Sequence, residues 1–318
     1  MKKILAVLLS SALAVCALCF VGCQQKQEEA PAASDDKMTV SDNTGPFYTL
    51  LVGNDSRTGT VEINKDMYAD GSARSDVMML VRVDPGTHQI GLVTIPRDTQ
   101  AEVDGTVCKI NDAYRTGGIE AAVDQAELLT GVRIDYYCDL GFVTFEKFID
   151  DIGGVTVNVP IPMSLVDIVS GDKISLEAGT QDLDGAEALV LARTRKAYEA
   201  EGMEAVRQMQ NRQIVQNIIV AAAADPGKVE FYVDALLANA DTNFDRDILV
   251  SLVTNFANNV DAISFVSGTG PYDGEVMDQY GGIWLAYRDT DTWAKVIGAV
   301  EAGQDPTAIV PLPAVRAA

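Results

Sequence analysis

Four charged side chains flank two apolar segments of the chain and are of the types that hold a phosphate beside a divalent cation. Arg74 and Asp76 precede the first segment, and Arg97 and Asp98 follow the second. Guanidinium groups bind phosphate oxygens in bidentate pairs, and carboxylates are common ligands of Mg²⁺. The chemistry available to the four is therefore phosphate binding between two arginines and a metal ion. Taken alone, such a cluster is more often the solvated rim of a hairpin.

A β-hairpin is the element that would bring these four side chains together. Residues 77–83 and 90–95 are rich in β-branched and aliphatic side chains, which favours strands. Between them, Asp84-Pro85-Gly86-Thr87 predicts a type II turn in which the glycine takes the positive φ. Folding about this turn would place Asp76 opposite Ile95. The charged residues would then gather at the open end of the hairpin.

The composition limits the kinds of partner that the protein can bind. Of 318 residues, 46 are acidic and 24 are basic, which gives a formal net charge of −22, and 47% are hydrophobic. Such a charge argues against binding to nucleic acid or to an anionic membrane surface, while the hydrophobic content allows a sizeable core. The single histidine, His88, argues against a triad with an imidazole base and against a His-rich zinc site.

The N-terminus has the pattern of an export signal. Two lysines precede an apolar run over residues 4–21, and Phe20-Val21-Gly22-Cys23 resembles a bacterial lipobox. We expect residues 1–23 to be a signal peptide with Cys23 as the lipidated residue, and an uncleaved signal anchor is the alternative. In both cases the protein would be extracytoplasmic and anchored to the bacterial cell membrane. The polar residues 24–44 would form a disordered tether.

The rest of the chain predicts one α/β domain. Helix and strand patterns alternate over residues 45–305 without an internal repeat or a linker, and residues 306–318 would be a C-terminal tail. Cys108 and Cys138 are the cysteines of this domain. Because an extracytoplasmic location permits disulfides, we expect a bond between them. Two buried free thiols on neighbouring strands are the alternative.

Further candidates for anion binding lie near the ends of predicted strands and helices. Asp55 and Arg57 directly follow a predicted buried strand, where ligand-binding loops and simple capped turns are both common. Arg193 and Arg195 would share one face if their segment is extended, and could then grip one anion. In a helix they would lie about 200° apart and could not.

Seven strings of the sequence, in the same order and with similar spacing, are those of a known protein family. They are L-V-G-N-D-S-R at 51–57, R-S-D-V-M at 74–78, I-P-R-D-T at 95–99, K-I-N-D-A-Y at 109–114, D-D-I-G-G-V at 150–155, L-D-G-A-E-A-L at 183–189 and R-T-R at 193–195. Over residues 47–304 the chain resembles the LytR-CpsA-Psr family of cell-envelope glycopolymer ligases.

The resemblance implies a fold, an activity and a set of partners. The fold would be a central mixed β-sheet flanked by helices. The activity would be phosphotransfer with Mg²⁺ as cofactor, moving a glycopolymer such as teichoic acid or capsule from a polyprenyl-pyrophosphate carrier to peptidoglycan. The product would be a phosphodiester with the muramic acid hydroxyl.

The resemblance also assigns roles to individual residues. Asp55 and Asp76 match the carboxylates of the metal and catalytic centre, and Lys109 matches the lysine of the K-I-N string. The arginines that match those around the pyrophosphate are Arg74, Arg97, Arg193, Arg195 and Arg207, and Arg57 is a further candidate beside them.

The segment after the R-T-R string departs from the family pattern of D-x-x-R followed by R-Q. Glu204 stands where the family has Asp, three residues before Arg207, and two extra residues precede it. Gln210-Asn211 and Arg212-Gln213 are rival matches to R-Q. Asn211 lies one helical turn beyond Arg207 and is the better geometric choice. We therefore add Glu204 and Asn211 to the candidate substrate-binding residues.

Two other functions fit the same residues. One is a pyrophosphatase that releases the lipid carrier without attaching the polymer. The other is a non-catalytic envelope lipoprotein that binds phosphorylated glycans, and the change to Glu204 keeps this hypothesis open.

Overall fold

A six-stranded mixed β-sheet forms the centre of the fold. The computed structural model describes residues 45–56, 58–60, 73–195 and 204–311, with only the backbone of residues 204 and 205. The sheet strands are β1 (Phe47–Asn54), β2 (Ser75–Asp84), β3 (Gln89–Thr94), β6 (Tyr136–Leu140), β11 (Asp241–Thr242) and β12 (Ser264–Thr269). Their order is β11-β6-β1-β2-β3-β12. The β1–β6 and β3–β12 pairs are parallel and the other three are antiparallel, so the predicted mixed sheet is confirmed.

Four two-stranded ribbons and seven α-helices complete the described part of the chain. The ribbons are β4 (Gln100–Val103) with β5 (Thr106–Lys109), β7 (Val155–Val159) with β10 (Gly179–Leu183), β8 (Met163–Val166) with β9 (Lys173–Leu176), and β13 (Gly274–Met277) with β14 (Ile283–Ala286). The helices are α1 (Ile110–Thr130), α2 (Phe142–Asp151), α3 (Gly185–Arg193), α4 (Glu204–Ala224), α5 (Val229–Asn239), α6 (Arg246–Ala257) and α7 (Thr290–Glu301).

The central sheet is covered by helices on both faces. Successive side chains of a strand point to opposite faces, and β2 is buried on both of them. Met78 and Leu80 pack in one cluster with residues of α1 and α7, including the fully buried Trp293. Met79 and Val81 pack in another with residues of α4 and α6. This three-layer arrangement explains the continuous apolar runs in β2 and β3.

The β2–β3 hairpin forms as predicted, but its register and turn differ from the prediction. Asp84 pairs with Gln89 and Met79 with Thr94, so the loop has four residues instead of two. The Asp84 carboxylate accepts hydrogen bonds from the N–H groups of Gly86 and Thr87, at 3.1 and 3.2 Å. The positive φ in this loop, 55°, belongs to His88. The type II turn was therefore wrong, and the longer loop moves Asp76 from Ile95 toward Arg97.

Helices α1 and α3 both lie near the charged residues, and the start of α3 is fixed by local hydrogen bonds. Helix α1 begins at Ile110 and breaks at Gly117 and Gly118, which have non-helical φ and ψ. Helix α3 begins after Asp184, whose carboxylate accepts the Glu187 N–H at 2.9 Å, while Glu187 accepts the Asp184 N–H. This capping box fixes the start of α3, and hence the position of its C-terminal arginine.

The expected disulfide is absent, because Cys108 and Cys138 are both free thiols. Cys138 lies on β6 and packs with residues of α2 and α3. Cys108 lies on β5, outside the central sheet, and packs against the cluster beneath α1. Burial raises the pKa of both thiols, that of Cys138 to about 12. The thiols are therefore free, as in the alternative, but Cys108 is only partly buried and the two strands are not neighbours.

The packed chain extends further toward the C-terminus than the predicted boundary at residue 305. Val310 is 7% exposed and belongs to the cluster beneath α1. The hydroxyl of Tyr272 donates a hydrogen bond to the carbonyl of Pro311 at 2.8 Å. The predicted signal peptide with Cys23, the tether, and residues 312–318 lie outside the described residues. Of the helices that the structure describes, none combines the length and the hydrophobicity needed to cross a bilayer.

Candidate functional site

A pocket of about 370 Å³ lies at the open end of the β2–β3 hairpin. Its walls come from β2, the segment after β3, helix α4, the end of β12 and the β13–β14 ribbon. The charged and amide side chains in these walls are Asp76, Arg97, Asp98, Arg195, Arg207, Gln208 and Asn211. The volume is within the range of small-molecule sites. Three arginines stand against two aspartates here, a local cationic excess in a chain of net charge −22.

Ion pairs connect β2, the segment after β3 and the end of β5 at the rim of this pocket. Arg97 donates from Nη1 to Asp76 Oδ1 at 2.8 Å, and Lys109 donates from Nζ to Asp98 Oδ1 at 2.6 Å. Arg97 Nε also lies 3.8 Å from Asp98 Oδ2. Arg97 and Lys109 retain 26% and 31% of their side-chain exposure. These cations are positioned by carboxylates and still reach solvent.

Backbone hydrogen bonds from the start of α1 hold this rim in place. The N–H of Ile110 donates to Thr99 O at 2.7 Å, and the N–H of Asn111 donates to Arg97 O at 3.2 Å. The K-I-N string therefore ties α1 directly to the residues that carry Arg97. This contact is the physical reason why Lys109 lies beside Asp98.

Asp55 and Arg74 meet at the neighbouring edge of the sheet, where β1 ends and the β1–β2 register shifts. The Asp55 side chain is 3% exposed, and its Oδ1 accepts the Arg74 N–H at 2.6 Å. The Asp55 N–H donates to Arg74 O at 3.0 Å. The Arg74 guanidinium donates from Nε to Asp112 Oδ1 of α1 at 2.8 Å. Neither residue is among those that line the pocket.

Arg193 and Arg195 separate because α3 ends between them. Arg193 is the last helical residue, and Thr194 leaves the helix with a ψ of 122°. The Arg193 Cζ atom lies 4.7 Å from the centroid of the Phe142 ring, in a cation–π arrangement. Arg195 lines the pocket with Arg97. The segment is therefore neither fully extended nor fully helical, because Arg193 is helical and Arg195 is not.

Helix α4 contributes Arg207 and Asn211 to the pocket wall, one turn apart as expected. Asn211 is 8% exposed, and its Oδ1 atom has no hydrogen-bond partner among the described residues. Gln210 and Arg212, from the rival matches, are also buried but do not line the pocket. Arg57 and the side chain of Glu204 lie outside what the structure describes.

Sequence reasoning missed several residues of the pocket. Thr269 donates to Gln208 Oε1 at 3.1 Å, and both residues line the wall. Arg212, 3% exposed, donates from Nη1 to Thr94 Oγ1 at 2.7 Å, and burial lowers the pKa of its guanidinium to about 10. Tyr272 and Trp284 close the opposite side. Arg212 does not itself line the pocket but contacts Thr94, which does, and the sequence already offered it in the rival match Arg212-Gln213.

A buried polar network supports the ends of β1 and β6 behind the site. The Asp139 carboxylate accepts hydrogen bonds from Asn54 Nδ2 at 2.8 Å and from Tyr114 Oη at 2.6 Å. Burial raises the pKa of Asp139, although both hydrogen bonds act against the rise. Because Tyr114 closes the K-I-N-D-A-Y string, the network links α1 to the strand that leads into Asp55. It explains two motif residues as positioning groups.

Comparison with known proteins agrees with this architecture. The LytR_cpsA_psr family profile matches residues 18–296. A polyisoprenyl-teichoic acid–peptidoglycan teichoic acid transferase TagU of Bacillus cereus is 29% identical over 268 residues, 83% of this chain and 79% of that protein. The TagU of Bacillus subtilis strain 168 is 33% identical over 186 residues, 58% of this chain and 55% of that protein.

A solved structure supports the same assignment. The crystal structure of Bacillus subtilis TagV superposes with a TM-score of 0.66 at 25% identity, covering 81% of this chain and 97% of that one. With the family profile covering most of its length, the chain belongs to the LytR_cpsA_psr family.

Proposed function

We propose that the protein is a transferase that attaches a polyprenyl-pyrophosphate-linked glycopolymer to peptidoglycan through a phosphodiester. The observation that carries this proposal is the pocket into which Arg97, Arg195 and Arg207 converge from three separate parts of the chain. The relatives named teichoic acid transferases supply the substrate class. The cell envelope is the place where both of these substrates occur.

The arginines have the chemistry that a diphosphate needs. Bidentate guanidinium pairs neutralise its oxygens and stabilise the charge that passes to the leaving group. The acceptor hydroxyl oxygen bonds to the sugar-linked phosphorus, and the bond from that phosphorus to the bridging oxygen breaks. Polyprenyl phosphate leaves with the electron pair. The hydroxyl proton passes to a carboxylate, for which Asp55 is our candidate.

Asp76 lines the pocket and Asp55 lies at the neighbouring edge of the sheet, so the proposed magnesium ion would be held largely by its substrate. Among the described residues, no group of three or more His, Cys, Asp or Glu side chains could hold a metal. Mg²⁺ commonly uses only one or two carboxylates, with waters and substrate phosphates as its other ligands. We assign Asp55 and Asp76 to it, and when bound it would neutralise the developing phosphate charge.

We also propose that Cys23 carries a lipid that anchors the protein to the outer face of the cell membrane. This places the pocket in the compartment that holds peptidoglycan and lipid-linked polymer. Labelled fatty acid should be incorporated by the wild-type protein and not by Cys23→Ala. Stable membrane attachment of Cys23→Ala without label would instead support the signal anchor.

The transferase proposal is tested by product analysis with a polyprenyl-pyrophosphate-linked oligosaccharide. Wild-type protein with Mg²⁺ and peptidoglycan glycan strands should give a phosphodiester-linked product and polyprenyl phosphate. Asp76→Asn should lose this product, whereas Asp84→Asn, at the turn end of the same hairpin, should retain it. Hydrolysis unaffected by acceptor would indicate the pyrophosphatase, and binding without turnover would indicate the non-catalytic lipoprotein.

A further inference from the structure

The β13–β14 ribbon presents an exposed apolar face that continues outward from the pocket wall. Val276 and Trp284 pair directly across the two strands, so their side chains share one face. They are 57% and 40% exposed, and Tyr280 in the connecting turn is 39% exposed. The other face is buried, with Leu285 at 0% and Met277 at 6% exposure. Exposure of this kind on one face of a ribbon marks a contact surface.

The ribbon is joined rigidly to the residues of the pocket rim. The Ala286 N–H donates to Asp98 O at 2.9 Å, and Thr99 forms a parallel bridge with Ala286. Asp98 is the residue that pairs with Lys109. Trp284 and Ala286 both line the pocket. A molecule lying on this ribbon would therefore have one end at the proposed diphosphate site.

Charge decides which kind of molecule fits this surface. Asp273, Glu275 and Asp278 lie in or beside the ribbon, and the sequence has no lysine or arginine between residues 272 and 288. An anionic polymer or an anionic membrane surface would be repelled. A polyprenyl chain lying on a two-stranded ribbon would keep its outer side in water and would bury less apolar area than in a groove. An uncharged sugar ring fits this surface. Its C–H groups can stack on the electron-rich indole face, and its hydroxyl groups can donate hydrogen bonds to carboxylates.

We infer that the Val276–Trp284 face of the β13–β14 ribbon binds a pyranose ring of the acceptor glycan strand and presents its hydroxyl to the pocket. The inference rests on the proposed transfer to peptidoglycan and adds the acceptor site to it. Trp284 acts as the stacking platform, and the exposed Asp278 at the end of β13 is the candidate hydrogen-bond acceptor. Glu275 pairs with Leu285 and lies on the opposite face of the ribbon.

The chain carries its own reporter for this contact. It has two tryptophans, of which Trp293 is fully buried and Trp284 is exposed. Peptide-free glycan strands released from peptidoglycan should shift the fluorescence of the full chain and protect it from acrylamide quenching. The signal should saturate with wild-type protein and with Phe231→Ala. That control removes an aromatic side chain of comparable exposure, 48%, on α5.

Variants at Trp284 separate acceptor binding from donor binding. Trp284→Ala should raise the KM for glycan strands about tenfold, since an aromatic contact contributes about 1 kcal/mol beyond the area it buries. The KM for the lipid-pyrophosphate donor should rise less than the KM for glycan strands, because Trp284 lines only one side of the pocket. Trp284→Phe should recover most of the acceptor affinity. Because Trp284→Ala lacks the fluorescent side chain, its affinity for glycan strands is measured by isothermal titration calorimetry.

The contrary results distinguish a failure of the acceptor surface from a failure of the proposed function. Unchanged acceptor KM in Trp284→Ala, or binding of anionic vesicles in preference to glycan strands, would overturn the acceptor surface while leaving the transferase intact. An equal rise in the KM for the donor would show that Trp284 serves the donor and not the acceptor, and would also overturn it. Absence of any transfer by the wild-type protein, with glycan still protecting Trp284, would overturn the proposed function alone.

Discussion

The two ends of the β2–β3 hairpin each hold an arginine–aspartate pair, yet only one of them faces a pocket. At the turn end, Arg82 and Asp84 are 3.1 Å apart with side chains 7% and 15% exposed. At the open end, Arg97 and Asp76 are 2.8 Å apart and 26% and 36% exposed. Asp84 is further occupied by two loop N–H groups, whereas Arg97 adjoins two more arginines.

The comparison shows that the surroundings of an ion pair, and not the pair itself, indicate its use. A pair that is largely buried within the hairpin contributes to folding, because breaking it leaves a poorly solvated charge. A half-exposed pair contributes little to stability, because solvent screens it. Its guanidinium can instead exchange a carboxylate for a phosphate. The same two residue types therefore serve the loop at one end and the proposed substrate at the other.

The largest expected effect is on activity at the open end. Arg97→Ala should lower kcat/KM for glycopolymer transfer about 10²- to 10³-fold, the range found when one charge-stabilising donor is removed from an active site. The melting temperature should change by a few degrees at most, because the lost pair is half-exposed. Transfer assays and thermal melts on the same preparation measure both quantities. A stable Arg97→Ala protein with wild-type turnover would remove Arg97 from the mechanism.

At the turn end we expect the opposite division between stability and activity. Arg82→Ala should lower the free energy of unfolding by about 2 kcal/mol, since it removes a charged hydrogen bond from the partly buried Asp84. Transfer per folded molecule should be unchanged. The control is the double variant Arg82→Met with Asp84→Asn, which fills the same space and removes both charges. Its free energy of unfolding should fall less than that of Arg82→Ala. Urea denaturation provides the free energies. A loss of activity larger than the loss of folded protein would contradict the division.

Arg193 and Arg195 offer a smaller contrast of the same kind within two residues. Arg195→Ala should weaken binding of a polyprenyl-pyrophosphate donor about tenfold, consistent with the loss of one charged hydrogen bond of about 1.5 kcal/mol. Arg193→Ala should weaken donor binding less and should act more on stability, through its contact with Phe142. Titration calorimetry and thermal melts separate the two effects. If Arg193→Ala weakens donor binding more than Arg195→Ala does, the family-based role of Arg193 outweighs its position over Phe142.

Much of the fold followed from local patterns, and the site followed in part. The apolar runs of β2 and β3 are encoded within a few residues, so the hairpin was predicted. The register was missed because a four-residue loop closed by the Asp84 side chain resembles a two-residue turn in sequence. Trp284 and Thr269 were missed because their place in the wall depends on long-range pairing with β3 and its neighbours. Such contacts leave no periodic signal in the chain.

The smallest expected effect concerns acid stability at the turn end. Asp84 is partly desolvated, which favours its neutral form, but hydrogen bonds from Thr87 and the charge of Arg82 outweigh this and hold its pKa below the ordinary value of 3.8. Because the unfolded chain binds this proton more readily, the contribution of Asp84 is complete above pH 3.8 and is lost as the pH falls through the folded-state pKa. Asp84→Asn should therefore be less stable than the wild type at neutral pH, and the difference should shrink as the pH falls below 3.8. Urea midpoints measured across this range, with Asp76→Asn as the open-end counterpart, provide the test. A constant difference at all pH values would show that Asp84 acts by loop geometry alone, without its charge.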